Sequence, residues 1–589
     1  MRLKGIRHPI GREGNVSLAA IGVEGEAPPR AGRARPSFSL NLLSRSRSSL
    51  GEGVVAGAVM VAFAFAVYGV HVVRGGFILD DWAFAADHER FGGLASTARH
   101  FLDTSGTLMN TGGRLGTAVY FATDYTLFGS NAALHIVVAV LLAALMSTGL
   151  FLVLRALGLE RLHAAAIALL VLIFPAADAP RFWPSASTSQ LAISLYLAGL
   201  ILALRGLNTN GRSAVAWHAA ALACYVASLL TYEITVGGVA LTILLYRLRS
   251  GWAPSLRRWA VDLATLAVTL VYVKHSKPYG VAFGSLSDRI DRARGIQGQA
   301  RELLTRVGVQ AGSIRLPFLV IVLLVAAAAV AALRLPASSA FRRPLRRWLA
   351  IAAGGTVAIG AGYVSFVATD TFYMPLRPGI GNRTNIAAAA GFVVLIYALT
   401  ILFGYLVALA ASFVRTTRPS KVPIAGAVAG VLLAGIGALW LYEIRQDRLA
   451  WDRAAALNQQ TLTVLRNRLA KPPEGSTIYT FGMPGETAPL VLPFTTSWDL
   501  TGAVRLLWHD SSLRGIPGAS IARSYSGNTP ENSGIACRGD QVQPRGYFYS
   551  AADASAYGKT IFVDVPSRRS VIVGDRRTCR AWTARYPGL

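Results

Sequence analysis

Cysteine is almost missing from this chain. Three occur in 589 residues, and none forms a C-x-x-C pair, so a cysteine-held zinc or iron–sulfur centre is excluded. Charge is scarce too. Asp, Glu, Lys and Arg make up 15% of the chain, where a soluble globular protein carries about 25%, so the ordinary soluble enzyme classes are excluded. Acids are rarer than bases, 30 against 58. Lysine is rare even among the bases, which are nearly all arginine. With abundant Ala and Gly, this composition points to a GC-rich, bacterial genome. Residues 2–40 lack the early apolar core of a cleaved signal peptide, and none is expected. No internal repeat recurs at a fixed period.

What is present is hydrophobicity, 53% of residues with a mean hydropathy of +0.44. It is gathered into about eleven apolar segments, at 53–73, 131–154, 162–177, 185–205, 214–231, 233–247, 258–275, 314–334, 349–369, 385–411 and 422–441. Runs of roughly 20 apolar residues match the thickness of a bilayer core. Continuous rather than alternating runs mark helices, which satisfy their own backbone groups in lipid. The expected fold is therefore an all-α polytopic membrane protein of about eleven transmembrane helices.

The net charge of +28 would suit a nucleic-acid binder. However, the arginines are scattered over short loops between apolar segments, the pattern of topology signals and contacts with membrane lipids, so nucleic acid is not expected as a partner. Basic residues recur in alternate loops (Arg155 and Arg161, Arg205 and Arg212, Arg247 to Arg258, Arg334 to Arg347, Arg415 to Lys421) and in the tail before residue 53. The positive-inside rule puts these on the cytoplasmic side. An odd number of spans then leaves the C-terminal region outside.

Three regions follow. Residues 1–52 read as a disordered basic cytoplasmic tail. Residues 53–441 form the transmembrane domain, with a long outer loop at 74–130 whose later half has the apolar spacing of helices lying along the membrane surface. A second outer loop, at 276–313, carries alternating charges as on an amphipathic surface helix. Residues 442–589 form a small mixed α/β domain on the extracytoplasmic side. It begins with a charged helix near 443–470 and has strands at Thr477, Ile561 and Ser570. Cys537 and Cys579 lie in this domain and are expected to pair as a disulfide in an oxidising compartment. Cys224 lies inside an apolar segment.

Asp80-Asp81-Trp82 follows directly on the first apolar segment. Two acids at a membrane interface mark a functional site by default, although an exposed loop would carry them as well. Three further outer features sit near helix ends: Arg181-Phe182-Trp183, Tyr232-Glu233, and the pair Arg377 and Arg383. Carboxylates serve as general bases, and arginine forks fit phosphate oxygens. Each feature also has a plainer reading. Arg181 and Trp183 suit interfacial anchoring, Glu233 a pair within a hairpin, and Arg377 and Arg383 contacts with lipid headgroups. His135, at the outer start of an apolar helix, suits a packed, hydrogen-bonded histidine.

The ordered set resembles the GT-C superfamily of integral-membrane glycosyltransferases, which use polyprenyl-phosphate-linked sugars and include protein mannosyltransferases and arabinosyltransferases. The resemblance rests on Gly76-Phe-Ile-Leu-Asp-Asp-Trp-Ala-Phe84, on Gly113-Arg114-Leu115 with Leu127 to His135, on Phe174-Pro175 with Arg181 to Trp183, and on Ser228 to Glu233. Tyr232 stands where many members have lysine. The likeness is good over residues 53–250 and loose over 250–440.

It implies transfer of a sugar from a polyprenyl-phosphate donor to an acceptor hydroxyl with inversion, Asp80 being the general base. Asp81 would orient the acceptor, share the base role or bind a divalent cation. Arg181, Arg377 and Arg383 would stabilise the leaving lipid phosphate, with Trp82, Glu233 and His135 among the substrate-facing residues. Trp498, Trp508 and Tyr525 are candidate contacts for an acceptor, which would be a cell-envelope glycan, lipid or protein. The site would face outward from a bacterial inner membrane. A transporter or flippase of lipid-linked sugars, or a non-catalytic scaffold, are the competing readings.

Overall fold

The computed structural model describes residues 46–103, 107–276, 286–307, 314–315, 318–368, 379–414, 422–518, 534–545 and 553–586. Arg377, Tyr525 and nearly all of the expected basic tail lie outside the described residues.

The helices are α1 (Ser46–Arg74), α2 (Asp80–Phe91), α3 (Leu94–Leu102), α4 (Leu115–Phe128), α5 (Ala132–Ala156), α6 (Arg161–Leu172), α7 (Ala179–Phe182), α8 (Thr188–Leu207), α9 (Gly211–Thr231), α10 (Val236–Ala240), α11 (Thr242–Arg247), α12 (Trp252–Ser276), α13 (Leu286–Thr305), α14 (Phe318–Arg334), α15 (Arg342–Ala368), α16 (Ile386–Val414), α17 (Val422–Arg468), α18 (Ser497–Trp508) and α19 (Arg576–Thr583). Among the described residues, seven helical stretches are long and apolar enough to cross a membrane: Gly51–Arg74, Ala132–Ala156, Pro184–Leu207, Gly211–Thr231, Arg342–Val367, Gly379–Phe413 and Ile424–Arg468. Arg161–Leu172 and Phe318–Arg334 are shorter apolar helices. Of the remaining expected segments, 233–247 is broken into a 3-10 turn, α10 and α11, and 258–275 lies within α12.

The apolar helices sort their faces as lipid requires. Along α5, Ile136, Ala139, Val140 and Ala143 are buried while Leu141 and Leu145 are exposed. No hydrophobic force drives helices together inside a bilayer, so close packing of small residues must. The seam between α15 and α16 shows this. A Cβ on Gly391 would lie 2.6 Å from the Ile359 nitrogen, and one on Gly355 would lie 2.9 Å from the Leu395 nitrogen. The two backbones touch, and only glycine fits between them.

The helix α17 leaves the apolar bundle without a break and ends in the C-terminal domain. The strands are β1 (Arg306–Val307), β2 (Ile314–Arg315), β3 (Thr477–Phe481), β4 (Arg514–Pro517), β5 (Gly534–Arg538), β6 (Gln541–Arg545), β7 (Ser555–Ala556), β8 (Thr560–Asp564) and β9 (Arg569–Ile572). The main sheet has the order β4-β3-β8-β9, with β3 parallel to both neighbours and β8–β9 an antiparallel hairpin. The crossover from β3 to β4 is α18, as a parallel pair requires.

Side chains alternate across a strand, and both faces of this sheet are covered. Ile478, Ile561 and Val563 face a core shared with Leu500 and Val504 of α18 and with Trp82, Phe84 and Phe121 of the outer loop. Tyr479, Phe481 and Phe562 face Cys579 and Trp582 of α19. Apolar residues of α2 and α4 are therefore packed against the C-terminal domain, while Val119 and Leu127 of α4, in the loop half expected to lie along the membrane, stay exposed.

Cys537 and Cys579 are joined by a disulfide that ties α19 to β5 across a sequence separation of 42. Closing a loop of that length restricts the unfolded chain, so Cys537→Ser is expected to cost about 2–4 kcal/mol. A lower urea midpoint for proteolysis of the C-terminal domain in the full-length protein would show it.

Candidate active site

The chain turns sharply between α1 and α2. Leu79, the residue before the acids, is buried and held at φ +49°. This left-handed position is uncommon for a side-chain-bearing residue. The turn makes Asp80 and Asp81 the first two residues of α2, where a helix N-terminus favours negative charge.

The two acids have different surroundings. Asp81 is fully buried. Its Oδ2 accepts from the Ile78 backbone nitrogen at 3.0 Å, and its Oδ1 accepts from the Ser185 nitrogen at 2.9 Å and from the Ser185 hydroxyl. It ties α2 to the 3-10 turn Pro184–Ser187. Asp80 is half-buried, and among the described residues its carboxylate accepts one hydrogen bond, from the Trp498 indole nitrogen at 3.0 Å. Trp498 belongs to α18, so the C-terminal domain reaches the acidic motif directly. Burial raises the Asp80 carboxyl above its ordinary value, and the Arg383 guanidinium and the Trp498 indole act against that rise.

Arg383 sits on a 3-10 turn, Gly379–Asn385, that two asparagines pin in place. The Asn382 side chain accepts from the Ala179 nitrogen at 3.0 Å and donates to Asp178 at 2.6 Å. The Asn385 amide donates to the Ala176 carbonyl at 2.5 Å. From the other side, the Ile380 nitrogen donates to the Leu490 carbonyl at 3.0 Å. So held, the Arg383 guanidinium lies over the Trp183 ring, 5.1 Å from its centroid. It forms no ion pair among the described residues, yet it stands within electrostatic reach of Asp80.

The other sequence candidates have the following surroundings. Arg181 is fully buried and donates to the carbonyls of Ala177 at 2.5 Å and Val171 at 3.0 Å, closing the end of α6. His135 is buried between Asp124 at 2.6 Å and the Gly129 carbonyl at 2.9 Å. Trp82 donates to the Phe77 carbonyl at 2.9 Å and packs on Phe494. Glu233 accepts from Arg114 at 2.9 Å, and Arg114 lies over the Tyr232 ring at 4.8 Å. The Gly113-Arg114 and Tyr232-Glu233 motifs thus meet. Arg114 immediately precedes α4, whose Tyr120 hydroxyl is hydrogen-bonded to Ser187 at 2.8 Å, two residues from Ser185.

Sequence reasoning missed Ser185, Asn382, Asn385 and the tie from Trp498 to Asp80. The asparagines were visible as the flanks of Arg383 in Gly-Asn-Arg-Thr-Asn, a polar knot opening an apolar helix. Nothing local marks Trp498. Among the described residues, no group of three or more His, Cys, Asp or Glu side chains is placed to hold a metal ion.

Burial raises three carboxyls in this layer, Asp81 and Asp499 to about 7 and Asp87 to about 6. In the unfolded chain they titrate near 4. Between those values the folded state binds more protons, so the stability these three carboxyls contribute is fully present below about pH 4 and is lost as pH rises through 6–7. The α2–α18 layer is expected to resist urea-dependent proteolysis better at pH 5 than at pH 8.

In comparisons with protein-family models and with curated proteins, the chain finds no match.

Proposed function

We propose that the protein is a GT-C-like membrane glycosyltransferase moving a sugar from a polyprenyl-phosphate donor to an acceptor hydroxyl outside a bacterial inner membrane. One observation carries this reading. Asp80 is a half-exposed carboxylate with one described hydrogen bond, beside an arginine that has no ion-pair partner among the described residues.

In the proposed reaction the acceptor oxygen attacks the anomeric carbon from the face opposite the lipid phosphate. The new C–O bond forms as the C1–O bond to phosphate breaks, which inverts the centre. Asp80 takes the hydroxyl proton. The electron pair of the broken bond leaves on the phosphate, where Arg383 stabilises the added charge. Asp81 and Arg181 act as frame, because both Asp81 oxygens are bonded to Ile78 and Ser185 and both terminal nitrogens of Arg181 are bonded to backbone carbonyls. About eleven spans, a cytoplasmic N-terminus, an outer C-terminal domain and an envelope glycan, lipid or protein as acceptor complete the proposal.

The test is transfer by the purified full-length protein in lipid, from a panel of polyprenyl-phosphate sugars to an envelope extract. One donor yielding an inverted glycosylated product supports the reading. Movement of a lipid-linked sugar across proteoliposome membranes, with no product from any donor, would replace it with the flippase reading.

A further inference from the structure

Away from Asp80, the C-terminal domain holds an open cleft of about 700 Å³ lined by Arg468, Arg568, Arg569, Arg577 and Arg585, with no acid in its lining. These arginines come from three places: the end of α17, the β8–β9 turn with the first residue of β9, and α19 with the residues after it. All five are exposed, and none is in an ion pair among the described residues. Two acids stand nearby, Asp564 opposite Arg569 in the β8–β9 register and Asp575 within electrostatic reach of Arg577, so the five arginines outnumber them. Asp564 accepts from Ser567, and Asp575 accepts from the Thr578 nitrogen at 2.7 Å as the cap of α19.

Five like charges repel one another, and the fold holds them together nonetheless. Arg568 is kept at φ +56°, a turn position better suited to glycine. The disulfide fixes α19 on the far side. Such an arrangement is stabilised by a ligand that brings negative charge.

We propose that this cleft binds an anionic carbohydrate polymer bearing carboxylate or phosphate groups. Guanidinium forks pair with both groups in bidentate fashion, and the Ser570 side chain adds a hydroxyl to the lining. Two other polyanions fit less well. A lipid headgroup would have to reach the cleft past the charged part of α17, which runs from Leu441 to Arg468, roughly 40 Å of helix at 1.5 Å per residue. Single-stranded nucleic acid needs exposed rings for base stacking. The one ring in the lining, Trp582, is buried with Arg585 over it at 5.2 Å. The site goes beyond the glycosyltransfer reading and does not depend on it.

The experiment uses the full-length protein in nanodiscs of neutral lipid, with fluorescence anisotropy of labelled decagalacturonate, of a short polyphosphate and of neutral dextran. Decagalacturonate should bind, with an affinity that falls steeply with salt, and dextran should not; binding of polyphosphate without decagalacturonate would overturn the carbohydrate assignment. The Arg569→Glu/Arg577→Glu variant should bind at least about tenfold more weakly. Asp80→Asn should bind as wild type does, so a failure of sugar transfer leaves this result standing. Equal binding by the charge-reversed variant, or by dextran, would overturn the proposal. So would capture by anionic-lipid vesicles or a single-stranded oligonucleotide while both anionic polymers fail.

Discussion

Asp80→Asn is expected to lower sugar transfer by about 10²–10⁴-fold, the usual contribution of a positioned general base. The substitution is close to isosteric. An asparagine oxygen still accepts from the Trp498 indole, so the tie between α2 and α18 survives and the loss reads on chemistry. Asp80 works as a base only when ionised, and burial raises its carboxyl. Transfer should therefore rise with pH along a limb above the ordinary carboxylate range, near 4. Arg383 opposes that rise, so Arg383→Ala should move the limb to higher pH as well as slow the reaction. Equal transfer by wild type and Asp80→Asn, with both proteins folded, would remove Asp80 from the chemistry. The neighbouring acid behaves differently. Asp81→Ala leaves the Ile78 and Ser185 nitrogens without acceptors in a buried turn, and its main effect should be on the yield of folded protein.

The helices were legible because lipid imposes a length and a composition that can be counted residue by residue. The strands β3, β8 and β9 were legible because Thr477 to Phe481 and Ile561 to Val563 are compact runs of β-branched and aromatic residues. In contrast, β4 is Arg-Gly-Ile-Pro and β6 is Gln-Val-Gln-Pro-Arg, where proline and polar residues mask the short apolar signal. The acidic motif was legible as a pair, but the division of labour within it was not. Which acid is buried depends on Ser185, 104 residues away. Arg181 shows the same dependence on distant packing. A guanidinium near an outer turn suits phosphate, but it equally satisfies the open carbonyls at a helix end, as it does here at Val171 and Ala177. Sequence shows which groups are present, whereas long-range packing decides which of them stay available.

A single glycine lets the C-terminal domain come close enough to α2 for Trp498 to reach Asp80. A Cβ on Gly502 would lie 2.5 Å from the Trp82 carbonyl carbon and 2.7 Å from the Ala83 nitrogen. These are backbone atoms of α2 and cannot swing aside. Gly502→Val should therefore push α18 away from α2, at a cost beyond the usual 1–3 kcal/mol or so of overpacking. The sheet side of α18 is left intact, because Thr501 bonds to Gly515 there and Arg505 to the Leu513 carbonyl. The expected result is a C-terminal domain that keeps its disulfide and its sheet, an α2 newly open to protease, and transfer reduced at least about tenfold. A loss of that size follows when a reacting group is displaced by about 1 Å. Trp498→Phe separates the two contributions. It removes the indole donor and leaves the docking, so it should move the acid limb to higher pH while α2 stays protected. If Gly502→Val transfers sugar like wild type despite an exposed α2, the C-terminal domain has no part in holding Asp80, and the site must be built from the membrane helices alone.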